Sequence, residues 1–404
     1  MNQSQQPPVV IFGAGKIARG YLSHLLALAG WRITFVDVNE NLVRLINERG
    51  RYTVHILGDP SKSMQITGIS AMHSADPRVA ELVAEAPVVF ISVGGPNLPA
   101  VAAPLAAGLQ ARRAAGGRLL NVVCCENWHR PANVLRAALG DKLAGADREY
   151  LDSRVGIAES TVLRSCIEPT AEQRAADPLA VQAQDYWELQ VDASALVEPM
   201  LPVAGLKPVP DFLGALERKL FTYNAINAVV SYLGLLRGHH YLYEAANDPM
   251  ILPVAQGVID ESGAAIAAKH GYTRAEQQAY GEQSLRKYQN RDIVDPLERQ
   301  VRDPIRKLGR NDRLVGAACL ALEYGIRPAN LALGIAAALE YANPQDPAAL
   351  KLQEILAAGG LDADGLSPSE NDSLPASLHA RVGYGNSRQK GGRVRMSSFC
   401  IDVR

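Results

Sequence analysis

The sequence predicts an α/β N-terminal domain with a parallel sheet, followed by a mainly α-helical C-terminal domain. Short apolar runs alternate with helix-like segments between residues 9 and 158, as in strand–helix–strand repeats. From residue 211 onward, the strand signals give way to long stretches of helical periodicity. Between 195 and 210, four prolines interrupt any regular element, which is typical of a linker.

Each predicted strand is a short apolar run, which suits a strand buried on both faces of a parallel sheet. The predicted strands are 9–12, 33–36, 88–93, 119–124 and 155–158, and the helices between them are 16–29, 77–85 and 97–113. The predicted C-terminal helices are 214–236, 241–246, 250–270, 274–288, 311–324, 328–342 and 347–358. The sequence thus divides into an N-terminal domain (1–200), a helical domain (201–366) and a polar tail (367–404), which we expect to be flexible.

Composition and charge exclude several classes of protein. The chain has 404 residues, 48% of them hydrophobic, which is typical of a globular enzyme and not of a disordered or collagen-like chain. Its 41 basic and 42 acidic residues give a net charge of −1. No overall field therefore attracts nucleic acid or an acidic membrane surface.

The remaining composition signals concern compartment and partners. No apolar run approaches the length of a membrane span, and the first residues lack a signal-peptide pattern. The five cysteines are scattered, without a spacing that binds zinc. We therefore expect a cytoplasmic protein, a monomer or small homo-oligomer, with a small-molecule substrate and no metal, nucleic-acid or membrane partner.

A glycine-rich turn follows the first predicted strand and opens the first predicted helix. Its pattern is G-x-G-x-x-A, formed by Gly13, Ala14, Gly15, Lys16, Ile17 and Ala18. The first glycine permits a tight turn, the second allows a pyrophosphate to approach the backbone, and the small alanine lets helix and strand pack closely. Free amides at the helix start then bind phosphate. This placement predicts a Rossmann-like dinucleotide-binding domain.

An acidic residue and a second loop complete the predicted dinucleotide site. Asp37 ends the second strand, 24 residues after the first glycine, where its carboxylate can accept hydrogen bonds from the adenosine ribose. A 2′-phosphate would meet like charge there, so NAD is favoured over NADP, although Arg19 or Arg32 nearby would soften that preference. Val93 and Gly94 follow the third strand and are expected to line the path to the nicotinamide; a plain turn is the alternative.

The predicted helix at 214–236 carries a lysine and several polar groups on one side. At 100° per residue, Asn227, Ser231 and Asn224 fall within about 140° of Lys219, and the opposite side is apolar. Burying such a helix is costly unless these groups face a wet or liganded cleft. Partial desolvation lowers a lysine pKa toward the range of a general base. The alternative is an interdomain helix whose lysine extends to solvent.

The same helix resembles that of the polyol-specific long-chain dehydrogenases (the mannitol dehydrogenase family), most closely the mannitol-1-phosphate 5-dehydrogenases. This family carries Lys-x4-Asn-x2-His, then Tyr-Leu-Gly and Gly-His; here the motif starts at Lys219 and continues at 232–234 and 238–239. The resemblance covers 8–358, including 12–20, 121–127, 306–313 and 322–325. It implies NAD-dependent, zinc-independent interconversion of a sugar-alcohol phosphate and a ketose phosphate, of the mannitol 1-phosphate and fructose 6-phosphate type, between the two domains.

The resemblance also implies a role for each candidate catalytic residue. Lys219 would take the hydroxyl proton of the substrate during oxidation and return it during reduction. Asn224 and Asn127 would donate hydrogen bonds to the substrate oxygen, whose negative charge grows in the transition state. For Asn127 the alternative is a turn amide after the fourth strand.

Two positions depart from the family pattern. Asn227 stands where the family has histidine, and it can bind a hydroxyl group but cannot titrate near neutral pH. Leu163 replaces an aspartate that relatives usually carry. These departures indicate a changed substrate, weakened turnover or a catalytically silent NAD-binding paralogue. His239 or His240 would replace the missing histidine only if the chain folds back at Gly238.

A phosphorylated substrate needs two or three cations that converge on the site. Arg302, Arg306 and Arg310, together with Lys307, form the densest cationic cluster of the helical domain. A solvated charged face is the alternative. The same arginines would hold a carboxylate, so a hexuronate or an unphosphorylated polyol stays open as the substrate.

Overall fold

The computed structural model describes residues 8–128 and 130–357. The chain divides into two compact units after Ala215. The predicted polar tail at 367–404 lies outside the described residues.

The first unit is built on an eight-stranded sheet, and five of its strands correspond to the predicted apolar runs. The strands in chain order are β1 (Val9–Phe12), β2 (Ile33–Asp37), β5 (Ile69–His73), β6 (Val89–Ile91), β7 (Leu120–Cys124), β8 (Val155–Thr161), β11 (Leu189–Asp192) and β12 (Leu206–Val209). They are ordered β12-β11-β8-β7-β6-β1-β2-β5. All pairs from β8 to β5 are parallel, and only β11 pairs antiparallel to β8. The predicted α/β class is confirmed.

A second sheet of four strands was missed by the sequence patterns. Its strands are β3 (Tyr52–Ile56), β4 (Met64–Ile66), β9 (Cys166–Ile167) and β10 (Val181–Ala183), ordered β4-β3-β10-β9. In β3, buried and half-buried residues alternate. A search for continuous apolar runs overlooks strands of this kind, because only one of their faces is covered.

Helices cover the strands of the first unit: those predicted at 16–29, 77–85 and 97–113 are confirmed, and four further helices were not predicted. They are α1 (Ser23–Leu28), α2 (Glu40–Arg49), α3 (Val79–Glu85), α4 (Leu98–Ala114), α5 (Pro131–Gly140), α6 (Gly145–Arg154) and α7 (Ala171–Ala176). The helix predicted at 16–29 contains a π-helical turn near its start, Ala18–Leu22. The Ser23 hydroxyl donates to the carbonyl oxygen of Ala18 at 2.8 Å, which helps to satisfy this wider turn.

The proline-rich stretch before the second unit contains a strand. Pro208 lies in β12, where the sequence predicted that prolines would prevent regular structure. Because β12 is an edge strand, a residue without an N–H group is tolerated there.

The second unit is helical around one apolar core, as predicted. Its helices are α8 (Phe212–Arg218, which begins just before the division), α9 (Asn224–Leu236), α10 (Leu242–Ala246), α11 (Leu252–His270), α12 (Arg274–Gln289), α13 (Leu297–Gln300), α14 (Pro304–Lys307), α15 (Val315–Glu323), α16 (Ala329–Leu339) and α17 (Pro347–Ala357). A second π-helical turn, Lys219–Tyr223, joins α8 to α9. In the described part of the chain, no helix combines the length and apolarity needed to cross a membrane.

Candidate active site

The glycine-rich turn follows β1, where the chain connections leave in opposite directions toward β2 and β6. Gly13 has a φ of 90° and donates its N–H to the carbonyl oxygen of Val36 at 2.7 Å. A Cβ atom on Gly13 would lie 2.1 Å from the carbonyl oxygen of Ser92. Both the backbone angle and the neighbouring chain therefore require glycine.

The residues after Gly13 leave room for a ligand. Apart from chain neighbours, no heavy atom lies within 4 Å of the place where a Cβ on Gly15 would be, and Gly15 is exposed. Ala18 is fully buried, whereas Lys16 is partly exposed and pairs with Glu168 at 2.8 Å. Ile17 is half-buried. The open backbone at Gly15 fits the pyrophosphate of a dinucleotide.

Asp37 connects the end of β2 to this turn. Its Oδ2 accepts a hydrogen bond from the N–H of Ala14 at 2.7 Å, and its Oδ1 accepts one from the N–H of Asn39 at 2.9 Å. Each oxygen keeps a further lone pair for a ligand hydroxyl. The carboxylate thus stands beside the phosphate-binding turn, as required of a group that binds the adenosine ribose.

Arg19 and Arg32 are the two arginines that were considered as partners of a 2′-phosphate beside Asp37. Arg19 donates through Nη1 to the carbonyl oxygen of Ala14 at 2.9 Å and is held beneath the turn. Arg32 precedes β2, at the opposite end of the strand from Asp37, a distance of about 16 Å along an extended chain. The expectation that Arg32 lies close enough to soften the NAD preference is therefore wrong.

Sequence patterns did not point to Glu126, which joins the two loops after β6 and β7. Its Oε1 accepts hydrogen bonds from the N–H groups of Val93 at 2.6 Å and Gly94 at 2.9 Å. Burial raises the pKa of Glu126 to about 6, and the two amide bonds act in the opposite direction. Asn127 follows and is exposed at the carboxyl end of β7. A carboxylate two residues after the end of a buried strand is the signal that would have identified Glu126.

Lys219 begins the π-helical turn of the second unit. The N–H of Asn224 donates to the carbonyl oxygen of Lys219, five residues back instead of four. Lys219 is only 7% exposed. Burial lowers the pKa of its ammonium group to about 7, and the positive charges of Arg313 and Lys287 act in the same direction. A lysine in this state can accept and return a proton near neutral pH.

The π-helical turn changes the predicted arrangement of polar groups. The angles from Lys219 assumed a regular α-helix, but the extra residue rotates Asn224, Asn227 and Ser231 relative to the lysine. Asn227 is 9% exposed and Ser231 is fully buried, whereas Asn224 is half-buried. The predicted apolar side of the helix is buried, as expected: Phe221, Ala225, Ile226, Val229, Tyr232 and Leu233.

The predicted phosphate-binding arginines lie in and around α14. Arg306 pairs with Asp303 at 2.6 Å and with Asp312 at 3.3 Å. Arg302 is exposed and Arg310 is half-buried. An anion would have to compete with two carboxylates for Arg306.

The fourth cation of this cluster, Lys307, is buried. Its ammonium group donates to the backbone carbonyl oxygens of Gln300 and Arg302. Burial lowers the pKa of Lys307 to about 7, and the positive charge of Arg313 adds to this effect. Lys307 therefore holds the chain around α13 and α14 together.

The two histidines after α9, His239 and His240, were considered as replacements for the missing family histidine. The chain folds back at Gly238, which has a φ of 83°. The Nε2 of His239 lies 2.7 Å from Oδ2 of Asp248, which Arg237 also contacts at 2.8 Å. His240 is exposed. The Nε2 of His239 is thus within hydrogen-bond distance of the Asp248 carboxylate.

The second departure from the family pattern lies beside a buried arginine. Leu163 is 6% exposed and Arg164 is 1% exposed. The Arg164 guanidinium lies 4.6 Å from the ring of Trp187 and donates to Nδ1 of His24 at 3.2 Å. Its Nη1 and the Nε2 of His24 have no hydrogen-bond partner among the described residues. The Arg164 cation is therefore stabilised by contact with an aromatic ring. Among the described residues, no carboxylate lies within hydrogen-bond distance of it.

A Rossmann unit with a carboxylate beside its glycine-rich turn, and a helical unit with a buried lysine of lowered pKa, are typical of an NAD-dependent dehydrogenase. The family model of the mannitol dehydrogenase Rossmann domain matches residues 7–205, and that of the mannitol dehydrogenase C-terminal domain matches residues 214–360. The chain belongs to the mannitol dehydrogenase family. It is accordingly a polyol dehydrogenase that uses NAD.

Solved structures share this fold at low sequence identity. A D-sorbitol dehydrogenase in substrate-free form superposes with a TM-score of 0.71 and 18% identity, over 83% of this chain and 80% of that chain. A Pseudomonas fluorescens mannitol 2-dehydrogenase, in a ternary complex with NAD and D-mannitol, gives a TM-score of 0.66 and 18% identity, over 88% of this chain and 85% of that chain. At such identity the likeness concerns the fold.

Proposed function

We propose that the protein interconverts a sugar-alcohol phosphate and a ketose phosphate, of the mannitol 1-phosphate and fructose 6-phosphate type, with NAD and with Lys219 as acid and base. This substrate class corresponds to the mannitol-1-phosphate 5-dehydrogenase branch of the family. The observation that carries the proposal is the state of Lys219, a buried amine whose pKa of about 7 lets it exchange a proton at neutral pH.

The roles of the chain's own groups follow from their chemistry. During oxidation, the neutral Nζ of Lys219 accepts the proton of the substrate hydroxyl, and during reduction the ammonium returns it. The amide groups of Asn224 and Asn127 donate hydrogen bonds to the same oxygen and stabilise the negative charge that develops on it. Asn227 contributes a hydrogen bond to a substrate hydroxyl and does not titrate.

The first unit holds the dinucleotide. The backbone at Gly15 receives the pyrophosphate, Asp37 accepts hydrogen bonds from the adenosine ribose, and the turn at Val93 and Gly94 borders the nicotinamide end. Bound NAD supplies the hydride acceptor. Glu126 fixes the Val93–Gly94 turn through its two amide bonds.

Charge around Lys219 supports an anionic substrate. The two charged groups that lower its pKa, Arg313 and Lys287, are both cationic. Arg313 pairs with Asp312 at 2.7 Å, and the Nζ of Lys287 lies 4.8 Å from the ring centre of Tyr223. A phosphate near these groups would relieve the repulsion among three cations. A hexuronate carboxylate would do so less strongly, and an uncharged polyol would not.

Substrate assays test the proposal directly. We expect NADH oxidation with fructose 6-phosphate at a kcat/KM at least about 100-fold above that with fructose, fructuronate or tagaturonate, between pH 6 and 10. Preference for an uncharged ketose or for a hexuronate would move the substrate to the alternative classes. If none of the four compounds is reduced at any pH, the protein is a silent NAD-binding paralogue and the proposal is wrong.

Two sets of cations are then compared. Lys287→Met should raise the KM for fructose 6-phosphate about tenfold and leave that for fructose unchanged. Arg306→Met serves as the matched variant from the cluster predicted by sequence, and its ion pairs with two carboxylates favour a smaller effect. The reverse result would place the phosphate at α14.

A further inference from the structure

A large aromatic side chain is exposed at the edge of the sheet where the ligand-binding groups gather. Trp128 is 49% exposed and follows Asn127 directly in the loop after β7. The other two tryptophans, Trp31 and Trp187, are half-buried. Tryptophan buries a large apolar area when it can, so a half-exposed indole beside a candidate catalytic amide indicates a contact surface.

The position of the indole is fixed by a glycine. A Cβ atom on Gly95 would lie 2.1 Å from Cδ2 and 2.3 Å from Cγ of Trp128. The ring therefore packs directly on the backbone of Gly95, in space that any other residue would fill. One part of the indole is used in this contact, and the remainder is exposed.

The loops that carry these residues are joined to each other. They follow β6 and β7, which are parallel neighbours with Ile91 beside Cys124, so both loops leave the same edge of the sheet. Glu126 binds the amides of the first loop, and Asn97 donates to the carbonyl oxygen of Val93 at 2.8 Å. In sheets of this kind, ligands bind outside the carboxyl ends of the strands. The indole thus packs on a loop that hydrogen bonds hold in place, at the carboxyl end of the parallel strands.

We propose that Trp128 is a substrate-binding residue that packs its indole against the carbon chain of the polyol or ketose. The inference rests on the proposed function, since it assumes that a substrate lies beside Asn127. The C–H groups of a polyol carry partial positive charge because each carbon bears a hydroxyl, and the face of an indole is negative. The amide of Asn127 binds substrate oxygen while the indole covers the adjacent carbons, with or without a phosphate.

Kinetics of matched variants test the proposal. Trp128→Ala should raise the KM for the ketose about tenfold, with kcat changed less than about threefold and NADH affinity less than about twofold. Trp128→Phe keeps an aromatic face over Gly95 and should lose less than about threefold. Trp31→Ala is the control, because Trp31 precedes β2 at the opposite edge of the same sheet.

A fluorescence measurement tests binding without turnover. In a variant whose other tryptophans are replaced (Trp31→Phe and Trp187→Phe), the emission of Trp128 should shift to shorter wavelength when the ketose is added with NAD⁺, a pair that cannot react. NAD⁺ alone should give a smaller shift. Addition of glucose 6-phosphate controls for non-specific effects.

The outcomes separate this inference from the proposed function. If the wild type reduces a ketose but Trp128→Ala matches Trp31→Ala and the ketose leaves the Trp128 emission unchanged, the inference alone is wrong. A loss confined to kcat or to NADH affinity would also overturn it, because that pattern indicates a structural or cofactor role. If the wild type reduces no ketose, the proposed function falls and the inference falls with it.

Discussion

The two units place their functional groups by different means. In the first, the turn at Gly13 and Gly15 offers backbone amides and open space, and the side chains around it mainly hold its shape. In the second, one amine, that of Lys219, is buried with two cationic neighbours that shift its pKa. A backbone site depends on conformation, whereas a side-chain site depends on its electrostatic surroundings. Substitutions in the first unit should therefore impair cofactor binding, and substitutions in the second unit should impair proton transfer.

The largest effect on catalytic activity is expected from a substitution in the helical unit. Lys219→Ala removes the group that exchanges the proton and should lower kcat/KM by about 1,000-fold or more. NADH affinity, measured by fluorescence titration, should stay within about twofold of the wild type. Lys351→Ala, which removes an exposed lysine paired with Glu354, is the control. Retained turnover in Lys219→Ala would remove the lysine from the mechanism.

The corresponding change in the first unit should weaken binding of the cofactor. Gly13→Ala forces a side chain against Ser92 at a φ of 90°, so we expect NADH affinity to fall about 100-fold and the free energy of unfolding by about 2 kcal/mol. Gly15→Ala has space in the free protein, and should weaken NADH binding while leaving stability within about 0.5 kcal/mol. Equal loss of stability in both variants would contradict the distinction between a tight glycine and an open one.

The pH dependence sharpens the comparison further. Because Lys219 must be neutral to accept a proton and its pKa is lowered to about 7, kcat/KM for polyol oxidation should rise with pH and level off above 7. Well below that value it should fall about tenfold per pH unit. NADH affinity should vary much less over the same range. A midpoint near 10 for oxidation would mean that the amine is not desolvated.

The smallest effect concerns stability in the first unit. Burial lowers the pKa of His24 to about 3, with a contribution from Arg164, so the folded protein favours the neutral ring. The resulting stability is complete above the unfolded pKa of about 6.5 and is lost as the pH falls toward 3, by about 1.4 kcal/mol per pH unit. Urea unfolding at pH 7 and pH 5 should show a shallower decrease for His24→Asn than for the wild type. Parallel decreases would show that His24 is accessible to protons.

Much of the fold followed from residue patterns that report local physics. Continuous apolar runs identified β1, β2, β6, β7 and β8, because these strands are covered on both faces. The G-x-G-x-x-A turn was identifiable because steric limits at Gly13 leave few alternatives. Strands with one covered face, such as β3, gave no comparable signal.

The candidate site was only partly accessible from sequence. A lysine among apolar residues indicated a low pKa, but Arg313 and Lys287, which contribute to it, are distant from Lys219 in the chain. The widened turn at Lys219–Tyr223 leaves no mark in the helical periodicity of its apolar residues. Glu126 was missed because its role depends on amides of another loop. These features arise from tertiary contacts.

The π-helical turn at Lys219–Tyr223 sets the direction of the lysine relative to the apolar side of α9. Removing one residue from the turn would restore a regular α-helix. Because α9 is anchored by its buried apolar side, α8 and the lysine would then rotate by about 100° about the helix axis and move about 1.5 Å closer to α9. A single-residue deletion at this point would thus redirect the reactive amine, and because Lys219 and Phe221 are both buried, the packing around the turn would have to change with it.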